Sequence, residues 1–170
     1  LDEHRIAVDD SLRTSMAHIF AAGDVCSKRQ FTHVTGHQGA IAGINAVLRG
    51  LWSLNANTQI EALAVFTEPE YARAGFTEAY LKDETIDFEV TELDYKDIER
   101  AVTEGASGLI RVLTKQGSDK ILGVAVYGHQ AGELVQQFLF FMKQNKGMKS
   151  ILAQQFLYPV WSAALQKVAS

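Results

Sequence analysis

LIRVLTKQGSDKILGVAVY, at residues 109–127, is the stretch that decides the fold of most of this chain. Two runs rich in branched apolar residues, 109–115 and 120–127, flank the polar segment QGSD at 116–119, whose residue types are typical of a tight turn. This pattern predicts two antiparallel strands joined as a hairpin. Because residues 124–126 are apolar on both faces, we expect the second strand to lie in the middle of a sheet.

Further strands and helices are predicted on either side of this hairpin. Leu134, Val135, Phe138 and Met142 recur at helical spacing and predict an amphipathic helix with a broad apolar face. The same reasoning predicts strands at 60–66 and 86–93 and helices at 77–83, 131–145, 150–158 and 162–168. Residues 58–170 are therefore predicted to form an α+β domain, an antiparallel sheet with helices on one side.

The N-terminal part of the chain has a different pattern. IFAAGDV at 19–25 is an apolar run that ends at Gly23 and Asp24, which predicts a buried strand leading into a loop. A helix is predicted from about residue 35 to Gly50, with small residues along one face at Gly36, Gly39, Gly43 and Ala46. Either tight helix packing or close approach to a ligand would explain that stripe. We expect a strand, loop and helix in residues 1–57 and a domain boundary near residue 57.

Composition excludes several classes of protein. The 170 residues include 16 Lys and Arg against 20 Asp and Glu, a net charge of −4, so no excess positive charge is available for nucleic acid. The chain contains no apolar run long enough to span a membrane and no signal segment. With Cys26 as its one cysteine it cannot form an internal disulfide, and we expect a cytoplasmic protein.

Three stretches of the chain carry a family resemblance. TSMAHIFAAGDVCSKRQFTHVTGHQGAIAGINA at 14–46, AVFTEPEYARAGFTE at 64–78 and KILGVAVYGHQAGELVQQF at 120–138 occur in the order and at the spacing of one family, as does the Arg-Ala pair within ERA at 99–101. They resemble the C-terminal part of the pyridine nucleotide-disulfide oxidoreductases, which include dihydrolipoamide dehydrogenase, glutathione reductase and mercuric reductase. The resemblance implies the end of an FAD-binding domain followed by a dimerisation domain, and hence a homodimer.

The resemblance also implies which residues contact FAD. Gly23 and Asp24 match the positions where the family's carboxylate holds the ribitol chain, and Thr32, His33 and Val34 match the start of the helix that faces the flavin ring. Elementary electrostatics agrees with this assignment. A helix N-terminus offers backbone N–H groups and a positive dipole end, while reduced flavin carries negative charge at its N1 and O2 edge.

Other parts of the family's machinery are not found in this sequence. The GxGxxG loop, the redox-active CxxxxC pair and the nicotinamide-binding domain are missing, so we expect the chain to belong to a longer parent that uses NADH or NADPH. Alone, it is not expected to catalyse hydride transfer. The electron acceptor of the parent is expected to be a small molecule or a metal ion.

The C-terminal segment departs from the family members that reduce disulfides. Those members carry a His that acts as general base and a Glu that orients it, whereas this chain has Tyr158 and Ala163 at the matching positions. The departure indicates a mercuric-reductase-like parent rather than a His-assisted disulfide reductase. Tyr158 is the candidate catalytic residue, with packing at the dimer interface as the alternative.

The sequence also allows a metal site and a protein without cofactor. His33, His37 and Cys26 lie close in sequence, but they lack a fourth ligand and an HExxH pattern, so we predict no metal site. The alternative to a flavoenzyme fragment is a self-association module that binds no cofactor. Flavin that copurifies with the protein would distinguish the two.

Overall fold

The computed structural model describes residues 4–28, 30–48, 52–56 and 60–170. The chain divides into two compact units, Leu1–Gln59 and Ile60–Ser170. The boundary expected near residue 57 falls on 57–59, outside the described residues.

The second unit is built on one antiparallel sheet of five strands in the order β1-β2-β5-β4-β3. The strands are β1 (Ala62–Val65), β2 (Tyr71–Gly75), β3 (Phe88–Asp94), β4 (Gly108–Lys115) and β5 (Ile121–Gly128). The predicted hairpin is confirmed as β4 and β5, with Arg111 opposite Ala125 and Val112 opposite Val124. Because β5 also pairs with β2, it is the central strand, as its apolar residues on both faces predicted.

The helices of this unit are short except for one. They are α2 (Glu78–Asp83), α3 (Glu99–Glu104), α4 (Ala131–Lys143), α5 (Met148–Leu152) and α6 (Ala163–Ala169), while α1 (Thr32–Leu48) belongs to the first unit. The α4 helix packs on β1, β2 and β5 and buries the predicted stripe, with Leu134 and Phe138 fully covered. Ala72 and Ala74 of β2 are also buried in this core, and such small side chains let a helix pack close to the strand.

Helices lie on both faces of the sheet, although the larger ones share one face. Leu81 of α2 packs with Leu113 and Leu122 in a separate apolar cluster. Leu113 follows Val112, which belongs to the core beneath α4, and successive residues of a strand point to opposite faces. The α+β class with an antiparallel sheet is confirmed, and α2 is the exception to the expected placement of the helices on one side.

The first unit contains α1 (Thr32–Leu48) and an irregular segment that packs on it. The predicted loop and helix are present, but the prediction of a strand at 19–22 is wrong. Phe20 forms only one bridge pair, with Arg13, and Ile19 is 45% exposed. A strand needs a neighbour along its length, and the described residues of this unit supply only that one pair. The expected stop at Gly50 lies outside the described residues.

Asn45 joins α1 to the rest of the first unit through hydrogen bonds made in the interior. Its side chain is 1% exposed. The amide nitrogen donates to the carbonyls of Ser11 (2.9 Å) and Leu54 (3.0 Å), and the amide oxygen accepts the Leu54 N–H (2.7 Å). A buried polar side chain with this set of partners fixes the position of both segments relative to α1.

Candidate functional site

The turn that begins at Gly23 requires glycine. Residues Gly23–Val25 form a 3₁₀ turn in which Gly23 has a φ of 77°, a left-handed conformation that other residues adopt at a cost. A Cβ at this position would lie 2.7 Å from Cγ2 of Thr35. The Gly23 N–H donates to Oε1 of Gln38 (2.8 Å), so the turn is held directly against α1.

Asp24 is placed beside the first turns of α1 by this arrangement. Its side chain is exposed, and Oδ1 accepts a hydrogen bond from Oγ1 of Thr35 at 3.2 Å. The other carboxylate oxygen and the remaining lone pairs offer acceptors for hydroxyl groups. The structure thus brings a carboxylate and the positive end of a helix dipole close together, which suits a ligand that carries both hydroxyl donors and negative charge.

Thr32, His33 and Val34 form the first turn of α1, where the resemblance placed them. Thr32 and His33 are exposed, Val34 is half-buried, and the His33 ring stacks on Phe31 with ring centroids 5.5 Å apart. The first N–H groups of any helix have no acceptor within that helix. Contact of these three residues with a cofactor stays a prediction.

Sequence reasoning missed two residues of this region, Thr35 and Gln38. Both lie on the side of α1 that faces the Gly23 turn, and their spacing of three residues is the one signal that they share a helix face. Gly36, Gly39 and Gly43 behave differently, because no described atom beyond their chain neighbours and the nearby backbone of α1 lies within 4 Å of the position a Cβ would take at any of them. Packing against the described part of the chain therefore does not explain the stripe.

The metal alternative gains no support from the described residues. They contain no group of three His, Cys, Asp or Glu side chains that could hold an ion. Partial burial raises the pKa of the Cys26 thiol, whose sulfur lies 3.5 Å from the Gly23 carbonyl oxygen. A raised pKa disfavours the thiolate that binds metals and acts as nucleophile.

Tyr158, the candidate catalytic residue, lies in the irregular segment between α5 and α6. Its side chain is 76% exposed, as is that of Leu157. Exposure leaves the phenol available to a ligand or to another subunit, and its catalytic role stays a prediction.

Trp161 lies three residues after Tyr158. Its ring contacts Tyr95, Glu104 and His129, and we call these four residues the Trp161 cluster. The indole Nε1–H donates to Oε2 of Glu104 at 3.2 Å. The Trp161 ring centroid lies 5.3 Å from that of Tyr95 and 5.4 Å from that of His129, which meets it edge-on. Residues from three separated stretches therefore converge on the side chain of Trp161.

Tyr95 is the buried base of this cluster. It is fully buried, and its hydroxyl donates to the His129 carbonyl at 2.8 Å. Gly108 and Gly128 are paired across β4 and β5, and a Cβ at either would come within 2.8 Å of the Tyr95 ring. Burial, and to a lesser extent the charge of Glu70, raises the pKa of the Tyr95 phenol well above its usual value, so this hydroxyl is a donor throughout the physiological range.

No helix among the described residues has the length and apolar character needed to cross a bilayer.

Residues 62–169 match the family model described as pyridine nucleotide-disulphide oxidoreductase, dimerisation domain.

Similarity to characterised proteins extends beyond that domain. The chain is 32% identical over 154 residues to a mercuric reductase of Shigella flexneri, covering 90% of this chain and 27% of that protein. It is 30% identical over 145 residues to a mycothione reductase of Mycobacterium tuberculosis, covering 82% and 31%. The fold matches the HOCl-induced flavoprotein disulfide reductase of Escherichia coli with a TM-score of 0.87 at 22% identity, covering 99% of this chain and 39% of that one. The chain thus spans about a third of the length of these proteins.

Proposed function

The chain belongs to the pyridine nucleotide-disulphide oxidoreductase family through its dimerisation domain, and from that membership we propose that it is the C-terminal part of a homodimeric, FAD-dependent NAD(P)H oxidoreductase. In this proposal residues 1–57 supply part of the flavin site and residues 58–170 supply the dimer interface. We also propose that the parent is cytoplasmic, as the sequence analysis expects.

The observation that carries the flavin proposal is the position of Asp24 beside the start of α1. Its exposed carboxylate, in contact with Thr35, provides acceptors that suit the hydroxyls of a ribitol chain. The first turn of α1, at Thr32, His33 and Val34, would present N–H groups and a positive dipole end to a reduced isoalloxazine. When bound, FAD supplies hydride acceptance from NADH or NADPH and electron transfer to the acceptor.

The dimer proposal rests on the family and on α4. This helix buries Leu134 and Phe138 against the sheet while Phe140 remains 58% exposed. An apolar side chain on the outer face of an otherwise well-packed helix is consistent with a second burial partner.

We further propose that the parent is mercuric-reductase-like rather than a His-assisted disulfide reductase. The phenol of Tyr158 lacks the basic ring nitrogen that an imidazole uses as general base, and Ala163 has no carboxylate to orient one. The exposed Tyr158 hydroxyl could instead donate a hydrogen bond to the acceptor or act as an oxygen ligand to a metal-ion substrate.

The alternative is a self-association module without cofactor, which would rest on the second unit alone. The family match begins at residue 62, so it lies wholly outside the unit that contains Asp24. Under this alternative, the parent would be colourless and still dimeric.

The experiment that separates the two starts with the visible spectrum of the intact parent during anaerobic titration with NADH and with NADPH. Bleaching of a flavin band is expected, and a colourless parent would favour the module. In the same parent, Asp24→Ala is expected to lower flavin content after gel filtration, because the ribitol hydroxyls lose their acceptor. The matched control is Asp10→Ala, which removes another exposed carboxylate of the same unit. Equal flavin content in both variants would remove Asp24 from the site.

A further inference from the structure

We propose that Glu104 and Trp161 are positioning residues that fix the segment carrying Tyr158 for its reaction. This inference rests on the proposed function, because it assumes that Tyr158 contacts the electron acceptor. It assigns a role to the Trp161 cluster, which the flavin site and the dimer interface leave without one.

The first step of the argument is that Tyr158 does not position itself. Its side chain is 76% exposed in the single chain, so packing within this chain contributes little to where its hydroxyl lies. A catalytic group needs to be held to within a fraction of an ångström, and that precision usually comes from neighbours that are themselves packed and hydrogen-bonded. The neighbouring anchor on this segment is Trp161, three residues further along.

Trp161 is held in direction as well as in place. Contact with the rings of Tyr95 and His129 restrains the plane of the indole, and the Nε1–H bond to Glu104 fixes which edge of the indole faces α3. Since Tyr95 is fully buried, the indole rests on a rigid surface. The backbone between Trp161 and Tyr158 is short, so the position of the indole limits the positions open to the phenol.

Glu104 is in turn held by partners on both of its oxygens. Oε1 accepts from Nε of Arg100, one turn earlier in α3, while Oε2 accepts from Trp161 and lies 3.7 Å from Nε2 of His129. Its side chain is 29% exposed, so solvent competes only in part for these bonds. The acceptor for the indole is therefore itself held by contacts with Arg100 and His129.

The chain offers variants that separate positioning from simple stability. Glu104→Gln keeps an oxygen that can accept the indole N–H, Glu104→Ala removes it, and Trp161→Phe keeps the ring stacking but lacks the donor. The matched control is Glu99→Ala, which removes a carboxylate from the same helix that bonds to Lys167 of α6 rather than to the Tyr158 segment.

These variants are tested in the full-length parent as its FAD holoenzyme. Mercuric ion in excess thiol is the electron acceptor, and the electron donor is whichever of NADH and NADPH reduces the flavin. We expect Glu104→Ala and Trp161→Phe each to lower kcat by about ten-fold with little change in KM, since a misplaced group costs rate more than binding. The rate of flavin reduction by the nucleotide is expected to stay unchanged. Glu104→Gln is expected to restore most of the activity, and Glu104→Ala should add nothing to a Tyr158→Phe variant.

A structural readout accompanies the kinetics. The readout uses the 170-residue chain carrying Trp52→Phe, in which Trp161 is the remaining tryptophan. Acrylamide quenching of Trp161 fluorescence is expected to rise when Glu104→Ala is added and to stay near the unchanged level when Glu104→Gln is added. If the wild-type parent turns over mercuric ion and the kcat of Glu104→Ala is no lower than that of Glu99→Ala, the positioning role is overturned while the proposed function stands. Equal losses in flavin reduction and in acceptor turnover would also overturn it, because they indicate general damage. An inactive wild-type parent would overturn the proposed function and this inference together.

Discussion

Alkaline pH should destabilise the second unit through Tyr95. Burial, followed by the charge of Glu70, raises the pKa of this phenol well above the ordinary tyrosine value. In the native state the phenol therefore keeps its proton, which it donates to the His129 carbonyl, at pH values where an unfolded tyrosine has lost it. A raised native pKa contributes stability that is complete below about pH 10 and is lost as the pH rises toward the native value.

The size of the effect follows from proton linkage. With an unfolded pKa near 10, about nine-tenths of unfolded Tyr95 is ionised at pH 11 while the native phenol remains protonated. The free energy of unfolding should then fall by about 1.4 kcal/mol at pH 11 relative to neutral pH from this residue alone. For a urea dependence of about 2 kcal/mol per molar, the midpoint moves by about 0.7 M.

The assay compares the chain with its Tyr95→Phe variant, because other titrating groups contribute equally to both. Trp161 reports on this unit directly, since its ring lies 5.3 Å from Tyr95, and Trp52→Phe removes the other tryptophan, which is 63% exposed. Urea midpoints are measured at pH 8, 10 and 11. The phenylalanine variant should start less stable by about 1 kcal/mol, having lost one hydrogen bond, and the gap should close as the pH rises. Parallel pH profiles for the two proteins would refute the argument.

Three further predictions concern packing and assembly. Phe138→Ala should destabilise the second unit by about 3–5 kcal/mol in urea titrations, because it empties a fully buried site, whereas a loss under 1 kcal/mol would contradict its place in the core. Asn45→Ala should cost about 3 kcal/mol and speed hydrogen exchange at the Leu54 amide, which loses its acceptor; unchanged protection there would count against the observed bonding. Residues 60–170 alone should sediment as a homodimer at tens of micromolar, and a monomer at that concentration would remove the interface assigned to this unit.

Local patterns predicted those elements of the fold whose signals are contained in the segment itself. The β4–β5 hairpin has its turn residues between two apolar runs, and α4 has a stripe at helical spacing, so both were found. The β2 strand was missed because YARAG at 71–75 has no β-branched residue. It is a strand because β1 and β5 pair with it and because Ala72 and Ala74 fit beneath α4. These are tertiary causes that leave no local mark.

The candidate site divides in the same way. Gly23 and Asp24 could be identified because a glycine that permits a tight turn and the carboxylate beside it are adjacent in sequence. Their partners Thr35 and Gln38 could not, since the side of α1 that faces the turn is decided only when the two pack together. The Trp161 cluster is more remote still, because Glu104 and His129 come to Trp161 from distant parts of the chain. The wrong prediction of a strand at 19–22 has the opposite cause. The apolar run suggests a strand, but the described residues supply no neighbouring strand along its length.

The central place of β5 also determines when the sheet can form as the protein is synthesised. The β1–β2 hairpin emerges from the ribosome early. The other edge of β2 pairs with β5, which ends at Gly128, so Tyr71 can meet Tyr127 only after all five strands have been synthesised. A lone two-stranded hairpin has little stability of its own. Until then, the open edge of β2 can pair with another nascent chain, so a ribosome-associated chaperone that covers residues 62–75 should raise the yield of folded protein.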